Sequence, residues 1–485
     1  MSPGPVKKGI DVKSWSVASI LGVFFAVGPL AVAADGTRPN IVFVYTDDQA
    51  PTAIGISGNP DLRTPRMDQL CRDGARLVNA FVTTPVCSPS RATLMTGCYA
   101  SELGIDDWIH PRQEPALGLD PRRVTWPELL LKAGYRTGLV GKWHLGTQDR
   151  FHPTRNGFEY FMGFRTGGNR PQNPVLEIDG VNKTFQGFTA DILTDHALQY
   201  VRKHRQDTFL LCLHYRAPHA AWLPVADVDW QPYKNLDPRI PNPKFPNLNV
   251  ARIKKMTREY YASVASVDRN LGRLLDELDQ LGLRDKTVVI FTSDHGYNLG
   301  HNGVWYKGNA QWQLTQLPKQ RWPHIPARQR PNLYDQSLRV PAAVRWPGVI
   351  SPGTVVRQTV SNLDWYSTLL AIAGVTPAES QSVRGRSFLP LLRGESLEWD
   401  NSLYAEYNMK HGAQTRMRAL RAEGWKLMID FANPGRKELY HLTEDPAETV
   451  NLADSERKDA QRIQRRFRAE IVRRMRELGD RVPEE

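Results

Sequence analysis

The stretch Thr287-Val-Val-Ile-Phe-Thr-Ser-Asp-His-Gly296 sets a run of apolar residues directly before a carboxylate, an imidazole and a glycine. A short apolar run bounded by turn residues is typical of a buried β-strand. The same order of residue types recurs at Ile41-Val-Phe-Val-Tyr-Thr-Asp-Asp48. Upstream of residue 287, apolar residues at helical spacing run from Tyr261 to Leu278 and predict a long helix that leads into the strand.

Two further apolar runs, Thr137–Val140 and Thr208–Leu213, also predict strands, and helical patterns lie between them. Strands that alternate with helices indicate a mostly parallel sheet with helices on both faces. Ligands of such sheets bind beyond the carboxyl ends of the strands. Each of the four runs is followed there by chemically active side chains, namely Asp47 and Asp48, Lys142 and His144, His214 and His219, and Asp294 and His295. We therefore predict one site at this edge of the sheet.

Composition excludes several classes of protein. The 485 residues are 41% hydrophobic and 24% charged, which is ordinary for globular proteins and excludes disorder, collagen and coiled coil as the main class. A mean hydropathy of -0.46 excludes a polytopic membrane protein, and four cysteines exclude a disulfide scaffold. The net charge of +12 favours a polyanionic partner, such as nucleic acid, an anionic membrane or an acidic polysaccharide.

The N-terminal segment resembles a targeting signal. Three lysines between residues 7 and 13 precede an uncharged segment, Ser14–Ala34, that contains Ala31-Val-Ala33. This pattern predicts a secretory signal peptide over residues 1–33, with an uncleaved membrane anchor as the alternative. We expect a protein exported to the periplasm or secreted, without stable membrane insertion after cleavage. Export argues against nucleic acid as a partner.

Beyond about residue 395 the pattern changes to short strand-like runs separated by turns, at 403–407, 417–421, 425–430 and 438–442. A final helix then carries an apolar face from Ala460 to Leu478. We predict a catalytic domain over residues 38–395 and a small C-terminal domain over residues 396–485, with an antiparallel sheet and a terminal helix.

The carboxylates at the predicted sheet edge suit a metal ion. Asp47 and Asp48 suit a hard divalent cation, and Asp294 with His295 adds a third carboxylate and an imidazole. Oxygen ligands favour Ca²⁺ or Mg²⁺, whereas the imidazole leaves Mn²⁺ and Zn²⁺ open. A helix cap or turn would explain an isolated Asp-Asp pair equally well.

The segment Pro85-Val-Cys-Ser-Pro-Ser-Arg-Ala-Thr-Leu-Met-Thr-Gly97 sets Cys87 just before a short helix. A helix N-terminus favours an anionic nucleophile or ligand, and Arg91, one turn later, would reach the same site. Taken alone, the pattern also fits a buried cysteine in a turn.

Cys-x-Pro-Ser-Arg followed by Leu-x-Thr-Gly resembles the maturation signature of type I sulfatases, in which the cysteine is oxidised to formylglycine. Other marks of that family follow in order, at residues 40–48, 141–146, 217–219, 293–296, 333–341 and 438–452. The resemblance covers residues 38–452. It implies an alkaline phosphatase-like α/β fold: a large, mixed, mostly parallel sheet sandwiched by helices, with a smaller C-terminal α+β domain.

The resemblance also implies a role for each site residue. The metal ligands are Asp47, Asp48, Asp294, His295 and the formylglycine made from Cys87, and the implied ion is one Ca²⁺, with Mg²⁺ or Mn²⁺ as alternatives. Arg91 fixes residue 87, Lys142 binds both it and the sulfate, and His144 removes a proton from the sulfated intermediate. His219 and Lys307 contact the sulfate and assist departure of the alcohol. Lys319, in a loop inserted at 309–332, is a rival for the role of Lys307.

We therefore predict an exported sulfuric ester hydrolase, similar to arylsulfatases, that acts on a sulfated carbohydrate or a small sulfate ester. Trp305 and Trp312 are predicted to contact the substrate, and a formylglycine-generating maturation enzyme is the expected partner. Two alternatives remain open. One is a phosphomonoester, phosphodiester or phosphonate hydrolase of the same superfamily, and the other is a non-catalytic binder of sulfated polysaccharide.

Overall fold

The computed structural model describes residues 1–4, 38–311, 314, 322–376 and 382–482. Apart from its first four residues, the predicted signal peptide lies outside the described residues, as do Trp312 and Lys319. Among the described helices, none combines the length and the apolarity needed to cross a membrane.

Strands and helices alternate along most of the described chain. Its C-terminal part consists of four consecutive strands followed by one helix. The strands are β1 (Asn40–Thr46), β2 (Ala75–Leu77), β3 (Ala80–Phe81), β4 (Arg136–Lys142), β5 (Tyr160–Phe164), β6 (Val175–Ile178), β7 (Val181–Thr184), β8 (Phe209–His214), β9 (Thr287–Ser293), β10 (Ala342–Arg345), β11 (Thr354–Val356), β12 (Val360–Ser361), β13 (Leu403–Tyr407), β14 (Met417–Ala422), β15 (Trp425–Asp430) and β16 (Lys437–His441). The helices are α1 (Pro65–Arg72), α2 (Cys87–Thr96), α3 (Ala100–Leu103), α4 (Trp126–Lys132), α5 (Thr189–Lys203), α6 (Asp227–Trp230), α7 (Val250–Gln280), α8 (Asp335–Leu338), α9 (Asp364–Ala373), α10 (Leu389–Leu392) and α11 (Lys458–Glu477).

The main sheet has ten strands in the order β11-β2-β10-β9-β1-β8-β4-β5-β6-β7. Its five central strands, β9, β1, β8, β4 and β5, are mutually parallel. The strands β10, β6 and β7 run antiparallel to their neighbours. The predicted mixed, mostly parallel sheet is therefore confirmed. The four strands found from sequence are the adjacent strands β9, β1, β8 and β4, so their carboxyl ends meet at one edge.

Helices cover both faces of this sheet. Successive side chains of β1 point to opposite faces, as in any strand. Val42 and Val44 pack in the layer that contains α5 and α7, whereas Ile41 and Phe43 pack in the layer with α2, α4 and α9. Because both faces are buried, the central strands are continuous apolar runs rather than alternating ones.

The C-terminal strands form a separate antiparallel sheet in the order β13-β14-β15-β16, as predicted. Phe467 and Ile471 of α11 pack on one face of it, against Leu427 and Leu439. Residues of its other face, such as Met428, belong to the main core. The small domain is therefore packed against the large one through a buried face; the predicted boundary at residues 395/396 stays a prediction.

We expect Phe467→Ala to lower the free energy of unfolding by about 3–5 kcal/mol, because a fully buried ring that joins α11 to the sheet is replaced by a cavity. Denaturant and thermal unfolding measure the loss. Gln461→Ala, on the exposed side of the same helix, is the control and should change stability by less than about 0.5 kcal/mol. Equal stability of the two variants would contradict this packing.

Candidate active site

The strand ends bring the predicted polar residues together. Asp47 and Asp48 follow β1, Lys142 ends β4, and Asp294 and His295 follow β9. Their ligand atoms cluster with the thiol of Cys87: one atom each from Asp47, Cys87, Asp294 and His295 lies within 4.8 Å of the others. All of these side chains are buried.

Cys87 is the first residue of α2, a helix that is buried along its whole length. Its Sγ lies 3.4 Å from Oδ1 of Asp47 and 3.4 Å from Nε2 of His295. The ammonium of Lys307 donates a hydrogen bond to the same sulfur at 3.0 Å. Residue 87 is thus held between an acidic cluster and a cation.

The acidic cluster has the donors that a divalent cation requires. Nε2 of His295 lies 3.1 Å from Oδ1 of Asp48 and 3.4 Å from Oδ1 of Asp294. The other ring nitrogen of His295 lies 2.9 Å from the carbonyl of Gly296, so Nε2 is the ring nitrogen that faces the carboxylates and could bind a metal in place of a proton. Oδ2 of Asp48 is buried and has no hydrogen-bond partner in the described part of the chain.

These donors fit a hard cation. Carboxylate oxygens dominate the set, which is the ligand chemistry of Ca²⁺ and Mg²⁺, and the single imidazole also suits Mn²⁺. A cation there would satisfy the buried oxygen of Asp48. Asp47, Asp48, Asp294, His295 and residue 87 are therefore the residues that would hold the metal.

Each carboxylate of the cluster is paired with a cation. The Lys142 ammonium donates to Asp47 at 2.6 Å and the Lys307 ammonium to Asp48 at 2.7 Å. The guanidinium of Arg91 donates to Asp294 through Nε at 3.0 Å. Arg91 also donates to the carbonyl of Lys142 at 3.1 Å, which ties the helix α2 to the end of β4.

The electrostatic balance shifts the pKa values of Asp47, Asp48 and Cys87. Burial raises the pKa of Asp47, but Lys142 and other nearby cations outweigh it and hold that pKa well below its usual range. Burial raises the pKa of Asp48, and the neighbouring Lys307 offsets this only in part. Burial and Asp47 also raise the pKa of the Cys87 thiol, yet Lys142 and Lys307 bring the net shift downward. The site therefore favours an anion at residue 87.

Two histidines border the cluster in their neutral forms. Burial, followed by the charges of Lys142 and Arg91, lowers the pKa of His144 well below 6.5. Its Nε2–H donates to the carbonyl of Ile109 at 3.2 Å, which leaves Nδ1 as a buried acceptor without a described partner. Burial lowers the pKa of His219 to about 4. Its Nδ1–H donates to the carbonyl of Ala220 at 2.7 Å, and its Nε2 lies 4.0 Å from Asp48.

Strained backbone occurs at two of these residues. Asp48 and His144 have φ values of 68° and 59°, in the left-handed region that non-glycine residues seldom adopt. Such strain costs about 1–3 kcal/mol per residue and persists only where the surroundings impose it. The turns after β1 and β4 thus hold Asp48 and His144 at the cluster in backbone conformations of raised local energy.

A cleft of about 470 Å³ opens over this cluster. Its walls include Cys87, His144, His219, Tyr306 and Lys307, and also residues that sequence reasoning missed: Trp108, Ile109, Pro111, Thr166, Gly167, Gly168, Asn309 and Gln311. A volume of this size suits a small organic ligand. These residues carry no motif, and only their position identifies them.

The prediction that Trp305 contacts the substrate is wrong. Its side chain is completely buried and packs edge-on against Trp222, Tyr260 and Tyr297 beneath the site. Tyr306, the next residue, lines the cleft instead. Lys307 reaches the cluster despite the insertion that follows it.

Comparisons with known proteins agree with this geometry. The model of the family described as Sulfatase matches residues 39–375, and that of the N-sulphoglucosamine sulphohydrolase C-terminal region matches residues 329–477. An N-acetylglucosamine-6-O-sulfatase of Bacteroides thetaiotaomicron is 25% identical over 86% of this chain and 82% of its own length. The steryl-sulfatase of Mus musculus is 27% identical over 80% of this chain and 70% of its own.

Solved structures share the fold. A protein solved in complex with its substrate D-glucosamine-2-N,6-O-disulfate superimposes with a TM-score of 0.78 at 23% identity, over 92% of this chain and 99% of that one. The agreement extends over both the large mixed sheet and the small C-terminal domain.

We expect Ca²⁺ to raise the melting temperature of the protein and a chelator to reverse the rise. A cation bound only by the folded state adds about 2.7 kcal/mol at one hundred times its dissociation constant. Asp48→Asn should abolish the rise, because it removes a ligand charge. Asp229→Asn, which breaks a carboxylate–Arg269 pair elsewhere, should alter the baseline but keep the response. A Ca²⁺ response that survives Asp48→Asn would rule out this cluster as the metal site.

Proposed function

The chain belongs to the sulfatase family of sulfuric ester hydrolases, and we propose that it is an exported enzyme that hydrolyses sulfate esters of carbohydrates through a formylglycine made from Cys87. The observation that carries the proposal is the environment of Cys87, whose Sγ borders the cleft between an acidic cluster and the ammonium of Lys307. Carbohydrate as the substrate class is supported by the N-acetylglucosamine-6-O-sulfatase among its relatives.

Hydrolysis of a sulfate ester needs a nucleophile and compensation of the charge on the sulfuryl oxygens. Oxidised to formylglycine and hydrated, residue 87 would supply two hydroxyl groups, one as the nucleophile and the other to regenerate the aldehyde. A divalent cation held by Asp47, Asp48, Asp294 and His295 would supply Lewis-acid stabilisation of negative charge. Ca²⁺ is the ion we propose, with Mg²⁺ and Mn²⁺ as alternatives.

The cations of the site would bind and orient the anionic group. Lys307 borders the cleft and touches residue 87, so its ammonium is positioned to contact a sulfate oxygen. Lys142 is fully buried behind Asp47, where it adds positive potential. Arg91 has no access to solvent, so it would not contact the substrate. It would instead orient residue 87 through the helix α2 and its hydrogen bond to Asp294.

The two histidines would move protons. His144 is neutral, borders the cleft, and carries its bare Nδ1 lone pair, which suits a general base that accepts a proton from residue 87. His219 has its only neutral-state proton committed to the Ala220 carbonyl. It would therefore donate to the departing alcohol only in its protonated form, which a bound anion favours.

Burial of α2 constrains the order of maturation. Every residue from Cys87 to Thr96 is buried in the folded protein. A formylglycine-generating maturation enzyme would therefore act on the segment around Cys87 before the fold closes. This order agrees with the proposed signal peptide over residues 1–33 and with export of the chain to the periplasm or beyond. We also propose that the chain divides into its two domains at residue 396.

Conversion of Cys87 is the central test of the proposal. Co-expressed with a maturation enzyme, the protein should show an aldehyde in place of the thiol at residue 87 by peptide mass spectrometry. It should release sulfate from a panel of sulfated mono- and oligosaccharides and turn over 4-nitrophenyl sulfate faster than 4-nitrophenyl phosphate. Cys87→Ser should fold normally and lose at least about 10³-fold in kcat, since a serine lacks the second hydroxyl group that would expel the sulfate.

The control for that experiment is Cys212→Ser, which alters a buried thiol within β8 and should leave conversion of residue 87 intact. Faster turnover of the phosphate than of the sulfate would favour a phosphoester hydrolase. Complete conversion with no sulfate released from any member of the panel would defeat the proposed activity.

The neutral form of His144 sets an expectation for the acid side of the pH dependence of kcat. Its pKa is depressed in the folded protein, so it stays deprotonated and able to accept a proton as the pH falls through 6.5. We expect the acid limb of kcat to begin below pH 6.5, and His144→Ala to lower kcat by at least about 10²-fold. His196→Asn alters a histidine whose pKa is also lowered by burial but which lies outside the cleft, and it should keep the wild-type profile. An acid limb at or above pH 6.5 would contradict a depressed pKa in the enzyme–substrate complex.

A further inference from the structure

Two short segments form the wall of the cleft beside the charged groups. Residues 108–111 contribute Trp108, Ile109 and Pro111, and residues 306–311 contribute Tyr306, Asn309 and Gln311. The ammonium of Lys307 lies 5.5 Å from the ring centre of Tyr306, so one face of that ring is already occupied. Trp108 is half-buried, and its indole N–H is not exposed to solvent. The part of its side chain that remains accessible is therefore apolar ring surface.

The backbone beside Trp108 is fixed to the reacting groups. The amide of Ile109 donates to Oγ of Ser88, next to residue 87, at 3.0 Å. The carbonyl of Ile109 accepts the hydrogen bond from Nε2 of His144 at 3.2 Å. Trp108 therefore keeps a constant position relative to both the nucleophile and the proposed base, which a binding platform requires.

The C-terminal domain holds Trp108 from behind. The carboxylate of Asp107 accepts hydrogen bonds from the amides of Lys410 at 2.8 Å and His411 at 3.0 Å. The rings of His411 and His110 lie 4.7 Å and 5.0 Å from that of Trp108, and Nε2 of His411 lies 3.0 Å from Glu114, three residues beyond the cleft segment. The indole is thus braced by a side chain from a different domain.

We propose that Trp108 is the platform on which the ring of the leaving alcohol stacks, with His411 as its positioning residue. The proposal rests on the proposed sulfatase function and narrows its substrates to sulfate esters of ring alcohols, above all pyranosides. A pyranose presents an apolar face of C–H groups that matches an indole, whereas an acyclic alcohol has no such face. The carboxamides of Asn309 and Gln311 border the same cleft and suit the hydroxyl groups at the ring edge.

The test separates binding of the ring from binding of the sulfate. Kinetics of wild type and Trp108→Ala are measured with N-acetylglucosamine 6-sulfate and 4-nitrophenyl sulfate, and inorganic sulfate serves as a competitor without a ring. We expect KM to rise about tenfold for each ring substrate that the wild type cleaves, with kcat within about threefold and the inhibition constant of sulfate within about twofold.

Variants of His411 test the positioning role. His411→Ala should raise KM in the same direction by about threefold and leave sulfate inhibition unchanged, whereas His411→Phe, which keeps a ring against the indole, should restore most of the loss. Trp399→Ala changes a half-buried tryptophan that does not line the cleft and is the control for loss of an indole.

Three outcomes would overturn the proposal. Equal increases in KM and in the sulfate inhibition constant would show that Trp108 only supports the anion site. Unchanged KM in Trp108→Ala would show that the ring binds elsewhere, while the sulfatase activity itself would stand. Failure of the fully converted wild type to cleave any sulfate ester would remove the proposed function and this subsite with it.

Discussion

Three carboxylates buried at one edge of a parallel sheet create the constraint around which this protein is built. Removing a carboxylate from water costs several kcal/mol unless an opposite charge compensates it. In the described structure Lys142 pairs with Asp47, Lys307 with Asp48 and Arg91 with Asp294. One oxygen of Asp48 still has no hydrogen-bond partner among the described residues, and a divalent cation would bind it.

The same cations that make the acidic cluster tolerable also make the cleft suitable for an anion. Lys307 contacts both Asp48 and the sulfur of residue 87, so one ammonium touches a proposed metal ligand and the proposed nucleophile. The turns that place Asp48 and His144 at this cluster have positive φ values. The backbone strain at these two residues is local, whereas the result is a fixed arrangement of charges around residue 87.

The C-terminal domain takes part in the site without contributing a reacting group. Lys426 of β15 is buried and donates to the carbonyl of Leu333 at 2.9 Å and to Asp335 at 2.8 Å, at the start of α8. The carbonyl of Ser337 in α8 accepts from the amide of Gly296, beside the proposed metal ligand His295. A side chain at position 296 would come within 2.2 Å of the carbonyl oxygen of Gln336, so glycine is needed for this contact. The C-terminal domain thereby supports both the turn that contains His295 and the wall of the cleft that contains Trp108.

Sequence periodicity was sufficient to find β1, β4, β8, β9, the C-terminal strands and the long helix α7, because apolar runs and helical spacing are local properties. It missed the other described strands of the large domain, namely β2, β3, β5, β6, β7, β10, β11 and β12. All of these except β5 have at most four residues, too few to show a period, and their pairing depends on neighbouring strands. The same limit applies to tryptophans, because nothing near Trp305 in the sequence reveals that its ring points into the core.

By itself, then, the sequence determined the fold class and the residue types of the site, since strand ends and the Cys-x-Pro-Ser-Arg segment are written in consecutive residues. Only the tertiary structure decided which cation neutralises which carboxylate, because Lys142 and Asp47 are 95 residues apart and Lys307 and Asp48 are 259 apart. It also decided that Trp108 rather than Trp305 faces the cleft. The direction of a side chain is set by the packing of distant segments around it.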